Sequence, residues 1–198
     1  SRGLGDVYKR QDKRAPFTAT GGIIPPEFQN IKTPCYILDE KALTENAKLL
    51  GEVAERTGCK MLLAQKAFSN YDCYPFFEPY LAGTEASGLY EARLGAEEMP
   101  GKEVHVFCAG YRADEFEELL QYADHIVFNS FSQWDMHKNT VQNSGRNIEC
   151  GIRINPEYSE IETDIYNPCF KYSRMGVTLK NFDESKLDGI SGLHFHTM

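Results

Sequence analysis

Lys66, Arg153 and His196 have the most to offer a chemical site, because each stands at or near the end of a short apolar run. Lys66 follows Met61-Leu62-Leu63-Ala64-Gln65. Arg153 lies within Cys150-Gly151-Ile152-Arg153-Ile154-Asn155-Pro156, and His196 ends Leu193-His194-Phe195-His196. A lysine buried beside a strand lowers its pKa, and the neutral amine is a nucleophile towards carbonyls, as a Schiff base requires. The alternative is that Lys66 marks where its strand runs out into solvent. An arginine on a buried strand needs an anion, either from a ligand's carboxylate or phosphate or from a structural ion pair. His194 and His196 share one strand face, since side chains alternate with period two. Such a pair can bind metal, or it can combine one packed and one functional imidazole. No companion carboxylate pattern accompanies it, so no metal ligand is assigned.

These residues are positioned by alternating strands and helices. Cys35–Leu38 is predicted as a strand. Asp39 caps a helix running to about Thr57, with Leu43, Ala47, Leu50 and Ala54 on its apolar face and Gly58 just past its end. Strands are expected at 59–66, 84–87, 103–108, 125–128, 149–154 and 189–196. Between them come a short helix at 74–81, with Pro75 in its first turn, and a helix at 89–98 stopped by Pro100-Gly101. A helix capped by Asp114 carries Phe116, Leu119 and Leu120, and one capped by Ser130 or Ser132 carries Trp134, read as core. Residues 155–188 are irregular, with a short element near 181–186. Their acidic stretch Glu157–Asp164 is either a solvated loop or a patch that steers a polycation.

Apolar strands alternating with amphipathic helices imply a parallel sheet, either doubly wound or a (β/α)8 barrel. A doubly wound nucleotide-binding sheet favours a Gly-rich loop after its first strand, and here Ala67-Phe68-Ser69-Asn70 follows Lys66. The barrel is therefore expected. Its active site would lie at the carboxyl ends of the strands, where Lys66, Arg153 and His196 stand. Six strands do not close an eight-stranded barrel, and 198 residues fall short of the ~250 it takes, so a fragment is expected.

Composition narrows the partners. A net charge of −8 argues against nucleic acid or an anionic membrane and suits a cationic small substrate. No apolar run approaches the ~20 residues of a membrane span. The six cysteines form no CxxC pair, so they are read as free buried thiols of a reducing compartment. Residues 1–11 carry no helix or strand period and look like a translated adaptor scar. With residues 12–30 they are read as a non-native or poorly ordered lead-in to a partial barrel domain over 31–198.

Several segments together resemble a known family. Thr33-Pro34-Cys35-Tyr36-Ile37-Leu38-Asp39 resembles the opening of the fold-type III pyridoxal-phosphate decarboxylases, which have the barrel of alanine racemase. Leu63-Ala64-Gln65-Lys66-Ala67-Phe68 matches the position of their cofactor lysine, and Gly83–Gly95 resembles their second-strand motif. Asp124–Ser130, Arg153-Ile154-Asn155-Pro156-Glu157-Tyr158, Tyr166-Asn167-Pro168-Cys169, Tyr172–Gly176 and Gly192–Thr197 are similar to the carboxynorspermidine/carboxyspermidine decarboxylase branch. The order and number of these segments, over about residues 31–198, carry the resemblance.

That resemblance implies a pyridoxal 5′-phosphate-dependent carboxy-lyase of polyamine biosynthesis, cytoplasmic and homodimeric as a full-length protein. It would remove the α-carboxylate of a small cationic polyamine-acid. Lys66 would hold the cofactor, His196 would pack on its ring, and Arg153 would orient carboxylates around it. Glu85 stands where relatives carry an acidic or polar residue near the lysine. The phosphate loop, the acid facing the pyridine nitrogen and a C-terminal β-domain would lie beyond residue 198, so the chain alone is expected to be inactive. Alternatives are a fold-type III decarboxylase of diaminopimelate, ornithine or arginine, a barrel-only cofactor-binding protein without decarboxylase activity, and a non-catalytic barrel fragment.

Overall fold

The computed structural model describes residue 28, residues 30–32 and residues 34–196. The expectations for residues 1–11 and for most of 12–30 lie outside the described residues. The chain divides into two units, Ser1–Leu38 and Asp39–Met198. In the first, the strand expected at Cys35–Leu38 is not formed, and Tyr36 is fully exposed. A strand needs a ladder partner for its backbone groups, and none of the described residues supplies one.

The second unit begins with helix α1, Glu40–Thr57. Asp39 Oδ1 accepts from the Ala42 amide at 3.0 Å, satisfying one of the helix's free N–H groups. At the other end Gly58 takes φ 73°, and its N–H reaches Ala54 O. That left-handed turn is cheap only without a Cβ. On the predicted apolar face Ala47 is buried and Leu43 and Ala54 are half-buried. Leu50 is exposed, because the face that packs is narrower than its spacing suggested.

Six strands follow: β1 Leu62–Ala64, β2 Gly83–Ala86, β3 Glu103–Phe107, β4 His125–Phe128, β5 Glu149–Arg153 and β6 Gly192–His194. They lie in sequence order, β1-β2-β3-β4-β5-β6, and every pairing is parallel. Between them run helices α2 Tyr74–Phe77, α3 Leu89–Glu98, α4 Phe116–Leu119 and α5 Phe131–Gln142. Ser130 Oγ caps α5 by accepting from the Gln133 amide. Asp114 does not cap α4. Its carboxylate pairs with Arg112, and Glu115 precedes the helix without a side-chain bond. The ion pair with a residue two positions earlier holds the aspartate away from the helix end. The strands predicted at 59–66, 103–108, 149–154 and 189–196 are all shorter in the structure.

A doubly wound sheet reverses its strand order and carries helices on both faces. Here nothing reverses, and the helices share one face. Ala86, Val104, Val106, Ile126, Phe128, Cys150 and Ile152 of the strands form one core with Leu89, Ala92, Phe116, Leu119, Phe131 and Trp134 of the helices. A smaller core under α1 and α2 holds Ala47, Tyr74, Phe77 and Leu81. With period two, the alternate strand residues face the other side, the lumen of a barrel arc. Gly83 lets β2 and β3 approach: a Cβ there would stand 1.9 Å from Glu103 O.

Candidate active site at the carboxyl rim of the strands

The lumen face presents Ala64, Glu85, Phe107, Arg153 and His194 along β1, β2, β3, β5 and β6, and Lys66 and His196 continue two of these rows beyond the strand ends. Lys66 sits in the turn that ends β1, where the amides of Ala67 and Phe68 both reach Ala64 O. Its neighbour Gln65 is buried on the helix side, and the Gln65 Nε2–H donates to Tyr74 Oη at 3.1 Å. The Gln65 amide also bonds Glu85 O at 3.0 Å. Anchoring Gln65 outward forces Lys66 to the lumen side. Lys66 is exposed, so the burial expected of a desolvated lysine is not provided by the described residues; the strand-exit reading describes its surroundings. Burial pushes the Glu85 carboxyl up, and nearby Lys66 opposes the shift.

Arg153 closes β5 and is 5% exposed. Its guanidinium lies over the Phe107 ring, 4.6 Å from the centroid, and its Nε is buried without a hydrogen-bond partner. The structural ion pair considered for it does not form among the described residues, and burial works against its charge. Phe107 also stacks on His194, with centroids 4.9 Å apart. His194 Nδ1 is a second buried atom without a partner. Burial drives the His194 pKa down to about 4, helped by Arg153, His196 and Lys66. His196 is exposed and is shifted down by partial burial, Arg153 and Lys66. The rim thus brings Lys66, Arg153, His194 and His196 within electrostatic reach of one another, with Glu85 beside Lys66.

A loop rises from this rim and returns to it. Residues 156–176 leave after β5, and Val177 comes back to pair with Ile154. Asn129, one residue past β4, holds the returning end: its Nδ2 donates to Arg174 O and its Oδ1 accepts from the Gly176 amide, both at 2.8 Å. Exposed Tyr158, Ile165, Tyr166 and Tyr172 lie on this loop. Glu157, Glu160, Glu162 and Asp164 do not form ion pairs among the described residues, as a solvated loop requires. Phe107 and Asn129 were not singled out from sequence. Phe107 could have been, because it continues the lumen row Glu103, His105, Phe107. A larger hollow of about 540 Å³ lies outside the sheet between Gln121, Asn139 and Arg146, and touches none of these side chains.

The cysteines depart from the buried-thiol expectation. Only Cys73 and Cys150 are buried, whereas Cys35 and Cys59 are exposed. The second pair falls in loop positions at the ends of α1, where no core is available. Among the described residues no helix is long and apolar enough to cross a membrane.

No protein-family model matches the sequence. Individual proteins do. The chain is 38% identical over 173 residues to carboxyaminopropylagmatine decarboxylase of Synechocystis sp., covering 87% of this chain and 44% of that protein. It is 39% identical over 171 residues to carboxynorspermidine/carboxyspermidine decarboxylase of Campylobacter jejuni, covering 86% and 44%. Among solved structures, carboxynorspermidine decarboxylase from Campylobacter jejuni complexed with norspermidine superposes with a TM-score of 0.73 at 36% identity. That match covers 85% of this chain and 42% of the other. Diaminopimelate decarboxylase from Helicobacter pylori, at 24% identity, shares the fold with a TM-score of 0.69, over 86% of this chain and 46% of its own. By sequence and by fold the chain is similar to carboxynorspermidine/carboxyspermidine and carboxyaminopropylagmatine decarboxylases, over a stretch that is about 44% of the length of those relatives.

Proposed function

We propose that this chain supplies the lysine-bearing wall of a pyridoxal 5′-phosphate-dependent decarboxylase acting on carboxynorspermidine or carboxyspermidine in polyamine biosynthesis. The observation that carries the reading is the carboxyl rim, where Lys66, Glu85, Arg153, His194 and His196 gather in a chain 39% identical to a named decarboxylase. The residues suit the cofactor. An exposed amine can take an aldehyde, and the unpartnered Arg153 Nε calls for an anionic acceptor. When bound, the pyridine ring supplies an electron sink for the charge left at Cα after loss of the carboxylate.

The chain's own groups have defined tasks in this reading. Lys66 Nζ would hold the cofactor, and its amine could also carry a proton at the same place. Glu85, raised by burial, sits beside that amine and balances its charge. Arg153, propped on Phe107, orients an anionic group at the rim. His196 would pack on the cofactor ring. The homodimer and the cytoplasmic location rest on the family resemblance.

A second reading has its own support, because a relative at 38% identity is named for carboxyaminopropylagmatine, which ends in a guanidinium group. All three substrates are α-amino acids with a cationic tail, so one assay separates them. A polypeptide completing this chain to the length of its relatives is given pyridoxal phosphate and each substrate, and CO2 release is followed. Borohydride reduction and peptide mapping should then place the pyridoxyl group on Lys66. Labelling at Lys60 or Lys102, or no release from any of the three substrates, refutes the proposal.

A further inference from the structure

At the opposite end of the lumen, three strands set ligand-type side chains in one row. His105 of β3 is the register partner of His125 of β4, and His125 is the partner of Glu149 of β5. Parallel strands lie about 4.8 Å apart, so the row is continuous across the lumen floor. Glu103 lies two residues before His105 on the same face. The imidazoles stack with centroids 3.9 Å apart. Glu103 Oε2 stands 2.9 Å from His105 Nε2 and 3.8 Å from His125 Nε2. One ligand atom from each of these three residues lies within 4.8 Å of the other two.

We propose that Glu103, His105 and His125 form a site for a zinc-class divalent cation towards the amino-terminal ends of β3 and β4. Tetrahedral ligand atoms at 2.0–2.1 Å from zinc are about 3.3 Å from one another, and the carboxylate-to-imidazole distances of 2.9 and 3.8 Å bracket that value. The neighbours complete the pattern. His125 Nδ1 is 3.5 Å from Glu149 Oε2, so with its proton on Nδ1 the ring turns a free Nε2 towards Glu103. A carboxylate behind a ligating histidine fixes its tautomer in this way. Lys60 pairs with Glu103 Oε1 and leaves Oε2 to the cation. His105 would likewise carry its proton on Nδ1, releasing the Nε2 that now donates to Glu103. Two imidazoles and one carboxylate select a zinc-class ion over calcium or magnesium, which take oxygen ligands. A cavity of about 140 Å³ beside the cluster is lined by His105, His125, Glu149 and His194. Three protein ligands leave one position for water, and the bound ion would tie β3 to β4 where the strands enter the barrel.

The other reading of the same atoms is a metal-free network in which His105 donates to Glu103. The test distinguishes them in the full-length polypeptide loaded with pyridoxal phosphate. After exhaustive chelation, Zn2+ or Co2+ is added alone and followed by competition with a metal indicator, and Mg2+ is run alongside. One equivalent of Zn2+ should bind, with the Co2+ form showing the intense visible bands of a four-coordinate ion. His105→Asn and His125→Asn should each weaken binding at least tenfold. Glu149→Gln alters an exposed residue that does not ligate the ion, so it should fold and still weaken binding. His196→Asn should leave it intact. No stoichiometric uptake of Zn2+ overturns the proposal. So does uptake that Glu149→Gln and both floor-histidine variants leave unchanged, or uptake lost instead in His196→Asn. The outcome is independent of whether CO2 release is observed.

Discussion

Replacing Arg153 with methionine separates a functional arginine from a structural one. The side chain is 5% exposed, its Nε is unpartnered, and no carboxylate among the described residues pairs with it. A buried charge without a partner costs stability, and a hydrophobic residue of similar length at such a site is neutral or stabilising by about 1–4 kcal/mol. Against that stands the lost contact with Phe107, worth about 0.5–2 kcal/mol. The difference favours Arg153→Met in the cofactor-free protein by about 1 kcal/mol, a rise in Tm of roughly 2–4 °C for a domain of this size. With cofactor bound the sign reverses, because an anion near the rim would lose a charged hydrogen-bond donor worth about 1.5–3 kcal/mol. Pyridoxal phosphate should then bind about 10–150-fold more weakly. Circular dichroism melts give the first quantity and equilibrium dialysis the second. Arg153→Lys should fall between the two, since it keeps the charge and loses the fork. A methionine variant that is destabilised without cofactor and binds it unchanged would refute the reasoning and make Arg153 a packing residue.

Other perturbations test the frame around the rim. Gly83→Ala would set a methyl group 1.9 Å from Glu103 O and 2.8 Å from Glu103 N, backbone that no rotamer change can clear. It should cost about 3 kcal/mol or more, read as a lower urea midpoint. For His194 the folded pKa of about 4 lies below the ordinary 6.5, so between these values the unfolded chain binds the proton and the folded one does not. That contribution to stability is complete above pH 6.5 and is lost as the pH falls through about 4. The side chain is partly solvated, so the effect is discounted to roughly 1–2 kcal/mol. The Tm of His194→Asn should therefore vary less with pH across this window than that of the parent. Asn129→Ala removes two 2.8 Å bonds to the returning loop and should speed proteolysis within residues 157–175 about tenfold, with little change in Tm.

Local signals made most of the fold legible. The helix at 89–98 and the strand at 125–128 stand where their periodicity put them, and Asp39 and Gly58 bound α1 as expected. Short-range chemistry decides such features, and it is written in neighbouring residues. The departures come from partners that the local pattern does not contain. Cys35–Leu38 has strand composition and no ladder partner among the described residues. Asp114 has cap chemistry, but Arg112 holds it. Leu50 keeps helical spacing on a face that is only partly covered. The rule that barrel chemistry sits at strand ends singled out Lys66, Arg153 and His196 as candidates, and the fold sets all three at one rim. It could not show that Lys66 would be exposed, or that Arg153 would lack an ion pair, since both depend on residues far apart in the chain. His105, His125 and Glu149 line up only through strand register, which no single segment reveals.

The two ends of the lumen have opposite electrostatic character, and that difference explains why they suit different ligands. At the floor acidic groups lie among imidazoles: Glu103 meets Lys60 and His105, and Glu149 faces His125. These lone-pair donors can converge on a cation once His105 shifts its proton to Nδ1 and the stacked rings, now 12° from parallel, turn towards a common point. At the carboxyl rim the buried groups are a guanidinium and an imidazole whose Nε and Nδ1 have no partner among the described residues, and Lys66 and Arg153 both push the rim histidines towards their neutral forms. A protonated histidine there would add a third positive charge, so the rim keeps its imidazoles neutral and leaves its donors for an anion. Six parallel strands wound in one direction produce this separation, because every strand enters at the floor and leaves at the rim. Residues early in each strand can then serve one site and residues late in it another, with a single lumen row such as Glu103, His105 and Phe107 contributing to both.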